Sequence, residues 1–296
     1  MNNDWYFLGG RDLEMATIAA LLRREKVRFS DRALAWGAGI SAYAAELAVA
    51  RAAGAVIVTV ELPWDLAKTD SAKTDLPKTD SRKTDSPKTD SPRSDQPDWN
   101  QQAVVEIDHH GARAGAAMAS SLRQVFDRLG LPERRWSRRF ALVAANDVGY
   151  LPAMQALGAS VAEMRKIRAL DRAAQGVTAA EEAEALRAIA QRQEFPGLCV
   201  LALAHDRASV AADFIEPLLG GPGCANLLIL GRGEVNFYGA GKAVRALARK
   251  YPGGWLGGAL PERGFWGHAG LLNADLLNAG ALKRAQLLDY LRGFLK

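Results

Sequence analysis

Short β-branched apolar runs alternate with helix-spaced segments along most of this chain. Trp5-Tyr6-Phe7-Leu8 reads as a first strand, and a helix follows through about Glu25. Ala33-Leu34-Ala35-Trp36 is a candidate second strand, leading to an apolar-periodic helix over residues 41–53. Residues 55–60 and 104–107 are strongly β-branched and read as further strands. Alternation of this kind predicts a parallel sheet. Helical spacing returns over residues 114–129, and residues 140–145 form another apolar element. The middle of the chain reads as helical. Thr178-Ala179-Ala180-Glu181 has capping-box spacing, with a helix to about Gln193 that Phe195-Pro196-Gly197 ends. Residues 198–203, 226–230 and 234–238 then read as strands, and Gly239-Ala240-Gly241-Lys242 opens a basic helix to Lys250. The predicted fold class is α/β in two domains. A parallel-sheet domain covers 1–177, a helical connector 178–196, and a smaller α/β domain 197–296.

One tract breaks the pattern. Residues 68–95 repeat a Lys-Thr-Asp-Ser-Pro unit with almost no large apolar side chain. Such a tract buries too little to offset its ordering entropy, so a disordered surface insertion is expected. With it removed, Glu61 lies about twenty residues before Asp108, an ordinary connection between neighbouring elements.

Composition narrows the class. The chain has 296 residues and is 49% hydrophobic, which is ample for a core. No apolar run approaches the roughly 20 residues of a membrane helix. The N-terminus lacks a signal-peptide pattern, so a cytoplasmic location is expected. Cys199 and Cys224, the two cysteines, lie in apolar surroundings and read as separate buried thiols. The net charge of +5 permits a polyanionic partner without specifying one.

Chemistry concentrates after the strands. Val104-Val105-Glu106-Ile107 runs into Asp108-His109-His110-Gly111, which places two of the four histidines at a strand's C-terminal end. Open α/β sheets bind ligands at that edge, and Asp and His both ligate divalent metals. Asp12 and Glu14 follow the first strand, although acids are also ordinary in a first helical turn. Glu61 ends the 55–60 strand, with Asp65 four residues on. Asp147 follows the apolar element at 140–145, where an Asn-Asp turn is the plain alternative. Basic residues around Trp136 suit a solvated helix end better than a nucleic-acid patch. His205 reads as structural. Gly241-Lys242 lacks the full spacing of a phosphate loop, yet a glycine-rich helix start can hold an anion. Residues 252–270 are dense in glycine and include Gly264-Phe265-Trp266-Gly267-His268-Ala269-Gly270, a candidate ligand loop.

These motifs resemble the DHH phosphoesterase superfamily. The resemblance spans both domains, though short motifs carry it. It implies that His109 binds a metal and that His110 faces the substrate phosphate. Gly10-Arg11-Asp12-Leu13-Glu14 resembles the family's first motif, with Asp12 in place, Glu14 for an Asp, and Gly10 where the family has a ligand His. Glu61 stands at the second-motif Asp, with Asp65 as fallback, and Asp147 at the fourth. The C-terminal domain is similar to the DHH-associated domain. There Gly264, Gly267 and His268 form an imperfect Gly-Gly-Gly-His loop, and Asn236 or Tyr238 stands near the place of a basic residue.

The implied reaction is hydrolysis of a nucleotide, cyclic-dinucleotide or short-oligonucleotide phosphodiester by metal-activated water. Asp12, Glu14, Glu61, His109 and Asp147 would hold manganese or magnesium, as two ions. His110 would be catalytic, with Asp108 orienting His109. Gly264, Gly267, His268, Asn236 and Lys242 would bind substrate. The expected partner is a nucleotide or short single-stranded nucleic acid; no membrane is expected, and a homodimer stays open. Gly10 also admits a binding module that senses a nucleotide without cleaving it. A third reading keeps the fold with altered chemistry on another phosphorylated compound.

Overall fold

The structure is a computed structural model that describes residues 3–66, 103–110, 119–271 and 277–295, with the backbone alone over 277–283. The repeat at 68–95, Gly111 and the first part of the helix expected over 114–129 lie outside the described residues. The chain divides into two compact units. One comprises residues 1–11 and 15–132, the other residues 12–14 and 133–296.

The first unit is built on a four-stranded parallel sheet in the order β2-β1-β3-β4. Its strands are β1 (Asp4–Leu8), β2 (Arg28–Ser30), β3 (Val56–Val60) and β4 (Val104–Ile107). The register pairs Leu8 with Val60, and Val60 with Ile107. Gly9, Glu61 and Asp108, the first residues past three neighbouring strands, therefore leave the sheet side by side at its C-terminal edge. Helix α1 (Leu13–Arg24) follows β1, and α2 (Ala44–Ala52) follows a 3₁₀ turn at Ile40–Tyr43. Phe7 and Ile57 of the sheet pack on Ile40, Tyr43, Leu47 and Ala50, all fully buried. Helix α3 (Ser121–Arg128) starts on a Ser120 side chain that accepts from the Arg123 N–H at 3.2 Å. At its other end Arg128 donates twice to the buried Asp4 carboxylate, at 2.7 and 2.9 Å.

The candidate strand at 33–36 does not form. Strand β2 lies earlier, and Leu34 makes only a single bridge to Gly10. Left-handed backbone at Ala33 (φ 48°) and Gly37 (φ 82°) interrupts extension on both sides.

The second unit begins with the helices α4 (Arg138–Ala156), α5 (Val161–Ala174) and α6 (Ala179–Ala190). Both α5 and α6 open on capping boxes, Ser160 with Glu163 and Thr178 with Glu181. A six-stranded sheet follows in the order β5-β6-β7-β8-β10-β9. It contains β5 (Gln193–Phe195), β6 (Leu198–Ala202), β7 (Leu227–Leu230), β8 (Glu234–Ala240), β9 (Trp255–Gly257) and β10 (Arg263–Ala269). Only β6 and β7 pair in parallel. Helices α7 (Ala208–Ile215), α8 (Gly241–Lys250) and α9 (Leu277–Phe294) complete it. Alternate residues of β6 and β7 enter different cores. Leu198, Val200 and Leu228 join Val244, Leu247 and Trp266, whereas Leu201, Leu227 and Ile229 join Ala185, Val210 and Ala211. Burial on both faces is why these strands read as unbroken apolar runs.

Three expectations are corrected here. Residues 140–145 lie inside α4, so Asp147 sits within a helix and not at an Asn-Asp turn after the apolar element. The glycine-rich 252–270 segment is largely strand: a Cβ at Gly264 would meet the Gly257 carbonyl oxygen at 2.4 Å, and one at Gly267 the Trp255 ring at 2.3 Å. The glycines there let backbone and indole approach across the β9–β10 pair. Cys199 and Cys224 form a disulfide rather than two thiols, because β6 and the turn before β7 bring their Cα atoms to 6.2 Å.

Candidate functional site

The first unit gathers its chemistry where β1, β3 and β4 end. Glu61 follows β3 in left-handed backbone (φ 52°), and its N–H donates to the Ile107 carbonyl at 2.8 Å. A non-glycine residue in that region is strained by about 1–3 kcal/mol, and such strain gathers at functional positions. Gly9 makes the turn feasible, since a Cβ there would lie 2.5 Å from the Glu61 carbonyl oxygen.

The Glu61 carboxylate is buried. His109 Nε2 approaches its Oε1 to 3.2 Å, and His110 Nδ1 lies 4.0 Å from the same oxygen. The ligand atoms of Glu61, His109 and His110 all fall within 4.8 Å of one another. Neither Glu61 oxygen has a hydrogen bond among the described residues. A buried carboxylate in that state costs several kcal/mol unless a cation neutralises it. One carboxylate and two imidazoles facing each other at this spacing fit a divalent metal ion.

Asp108 serves a different histidine from the one expected. Its Oδ1 accepts the His110 N–H at 2.8 Å and lies 3.1 Å from His110 Nδ1. A carboxylate this close to Nδ1 orients the ring, so that Asp108 positions His110. The His110 ring is partly exposed and tilts against the His109 ring at 4.1 Å. Asp65, the fallback for Glu61, is engaged elsewhere: it accepts from the Ser41 N–H at 2.9 Å and the Ser41 hydroxyl at 2.6 Å, capping the turn before α2.

Gly10 has no room for a side chain in this arrangement, because a Cβ would meet the Trp36 ring at 2.9 Å. Trp36 is 55% exposed and meets the His110 ring edge-on, with centroids 5.8 Å apart. Nothing in the hydrophobic pattern around 33–36 marks this indole as part of a site; the Leu34–Gly10 bridge brings it there.

The second unit carries the other expected ligands. Asp12 and Glu14 are buried, at 5% and 1% exposure, and Asp147 is half-buried on α4. A buried charge network lies behind both segments. Arg168 donates to Asp213 at 2.9 Å, to Asp171 at 2.7 Å and to the Asn146 side chain at 2.9 Å. Asp171 Oδ1 also accepts the Leu13 N–H at 3.1 Å. The residue beside Asp12 and the residue beside Asp147 thus share one anchor. Helix α4 breaks just past Asp147, where Tyr150 is left-handed (φ 56°) and its hydroxyl donates to Asp213 at 2.7 Å. Burial, then the Asp213 charge, pushes the Tyr150 hydroxyl far above its ordinary range. Burial pulls Arg168 down, but Asp213 and Asp171 outweigh it and drive the guanidinium higher.

The expected substrate residues lie on the second sheet. Asn236 and Gly267 are register partners on β8 and β10. His268 turns its ring nitrogens toward the carbonyls of Ala269 at 2.6 Å and Pro252 at 3.2 Å. Lys242 is exposed on the first turn of α8. His205 contacts the Glu181 carbonyl at 3.3 Å. Among the described residues no helix is long and apolar enough to cross a membrane.

No protein-family model and no curated protein matches the chain. Among solved structures it is similar to a pGpG-specific phosphodiesterase, PggH, from Vibrio cholrae, at 12% identity over 97% of this chain and 98% of that one, with a TM-score of 0.37. It is also similar to the exonuclease RecJ bound to manganese, at 14% identity over 97% of this chain and 89% of that one, with a TM-score of 0.37.

Proposed function

We propose that this protein is a metal-dependent phosphoesterase that hydrolyses a phosphodiester of a nucleotide, cyclic dinucleotide or short oligonucleotide. The supporting observation is the buried Glu61 carboxylate, 3.2 Å from His109 Nε2 and without a hydrogen bond among the described residues. In this reading Asp12, Glu14 and Asp147 complete a ligand set for manganese or magnesium, as two ions, within a functional domain spanning residues 1–177. The helix-bearing stretch 178–196 connects it to a substrate-binding domain, where Gly264, Gly267, His268, Asn236 and Lys242 contact the nucleotide. The working location is the cytoplasm.

Bound metal supplies a Lewis acid and a water that ionises near neutral pH. The chain's own groups do the rest. Asp108 faces His110 Nδ1 and orients that ring, leaving Nε2 toward the substrate. Nε2 then carries a proton toward the phosphate and can pass it to the departing alkoxide. His109 and Glu61, both buried, keep the ligand geometry fixed and exclude bulk water from one side.

Manganese-dependent hydrolysis by the full chain tests this, on dinucleotides, cyclic dinucleotides and short single strands. His109→Ala should abolish turnover, and Asp108→Asn should lower kcat by about 10²–10⁴-fold, the range for losing general acid–base help. One observation favours a second reading. The Trp36 ring leaves residue 10 no side chain with which to ligate, so the site could bind a nucleotide without cleaving it. Nucleotide binding with no turnover under any divalent metal would select that reading.

A further inference from the structure

Resting on the phosphoester site proposed above, we infer that Trp36 is a stacking platform for a nucleobase, which makes the preferred substrate one with an aromatic base beside its phosphate. An indole left 55% exposed forgoes much of its burial free energy, and tryptophan is usually well covered. Here the exposure is built in. The segment before it is tied down: the Arg32 N–H donates to the Tyr43 hydroxyl at 3.0 Å, which donates in turn to the Leu8 carbonyl at 2.7 Å. The Arg32 guanidinium forms a two-armed pair with Glu46, at 2.8 and 2.9 Å. Leu34 bridges Gly10, and its carbonyl accepts from the Arg11 N–H at 3.1 Å. Left-handed residues flank the segment on both sides, and the Asp31 side chain accepts the Ala33 N–H at 2.8 Å.

The indole therefore rests on the bare backbone of Gly10 on one side and on the edge of His110 on another. Its remaining surface faces solvent next to the imidazole that would meet the phosphate. A side chain held for packing alone gains nothing from this placement. A flat ring at the mouth of a phosphate site offers a base a stacking partner that tolerates any base identity. The ligand class that follows is a nucleoside phosphate, distinguished from sugar phosphates and inorganic phosphate by its ring.

Calorimetric titration of the full chain with manganese present would test this, using adenosine 5′-monophosphate, ribose 5-phosphate and inorganic phosphate as probes. Trp36→Ala should weaken adenosine 5′-monophosphate roughly ten- to a hundredfold, the range of one base–aromatic stack. Trp36→Phe should recover most of that loss, and the affinity for inorganic phosphate should be the same in all three proteins. If Trp36→Ala binds the nucleotide as tightly as the parent, or loses phosphate equally, the stacking role is wrong while the phosphoester site stands. If the parent binds no phosphate and His109→Ala changes nothing, the site reading itself fails and takes this inference with it.

Discussion

Adjacent glycines at the end of β1 answer to different neighbours. A Cβ at Gly9 would press on the carbonyl oxygens of Glu61 and Val60, at 2.5 and 2.8 Å, and both are backbone. At Gly10 the obstacle is a side chain, the Trp36 ring at 2.9 Å. Gly9→Ala must therefore push β1 away from the strained Glu61 turn, whereas Gly10→Ala displaces the Trp36 side chain and leaves that backbone turn in place. Gly9→Ala should cost about 1–3 kcal/mol of stability, as overpacking does, and weaken manganese binding by displacing Glu61. Gly10→Ala should cost less and leave metal affinity closer to the parent. Urea unfolding and metal titration of the two variants check this. Equal effects would mean that the Gly9–Glu61 contact does not position the carboxylate.

Helices α4, α5 and α7 are held by charges rather than by apolar packing alone. Arg168 and Arg172 of α5 both reach Asp213 of α7, and all three side chains are under 10% exposed. Such a network contributes little net stability when intact, but breaking it strands a charge. Arg168→Met should destabilise the protein by about 3–5 kcal/mol, because Asp213 and Asp171 would remain buried with fewer partners. A loss below about 1 kcal/mol by denaturant titration would show that the network is solvated rather than buried. The same element logic places Asp147. It lies two turns into α4 and just before the break at Gly149 and Tyr150, so its position depends on how Tyr150 is tied to Asp213.

For the whole molecule, a metal that binds only the native state shifts the unfolding equilibrium by mass action. Manganese at a hundredfold excess over its Kd should add about 2.7 kcal/mol. That appears as a rise in Tm which a chelator reverses. Glu61→Gln should abolish the rise while unfolding cooperatively by itself. An unchanged Tm for the parent across a manganese titration would argue against the ligand set. Each unit has its own core, so the shift reports on the native fold and not on one exposed contact.

Local rules settled much of this architecture from the chain alone. The β-branched runs at 56–60 and 104–107 and the apolar strands at 198–202 and 227–230 form where their patterns place them, and for 198–202 and 227–230 burial on both faces demands unbroken apolar runs. Thr178 and Glu181 fix the start of α6 through their mutual hydrogen bonds. The carboxylate and imidazoles past β3 and β4 were legible for the same reason, because strand ends at one edge of a parallel sheet are neighbours. What depended on distant residues was not. Residues 140–145 carry apolar side chains that suit strand or helix equally, and only packing in the second unit made them helical. The glycines at 264 and 267 signalled close approach correctly, but a ligand loop and a strand pair crossed by Trp255 need glycine alike. Asp108 could have served either histidine until the turn at His110 folded its own N–H and ring onto the carboxylate. The pairing of Cys199 with Cys224 and the meeting of Trp36 with Gly10 and His110 arise from contacts between segments distant in sequence, which set distances that no local pattern encodes.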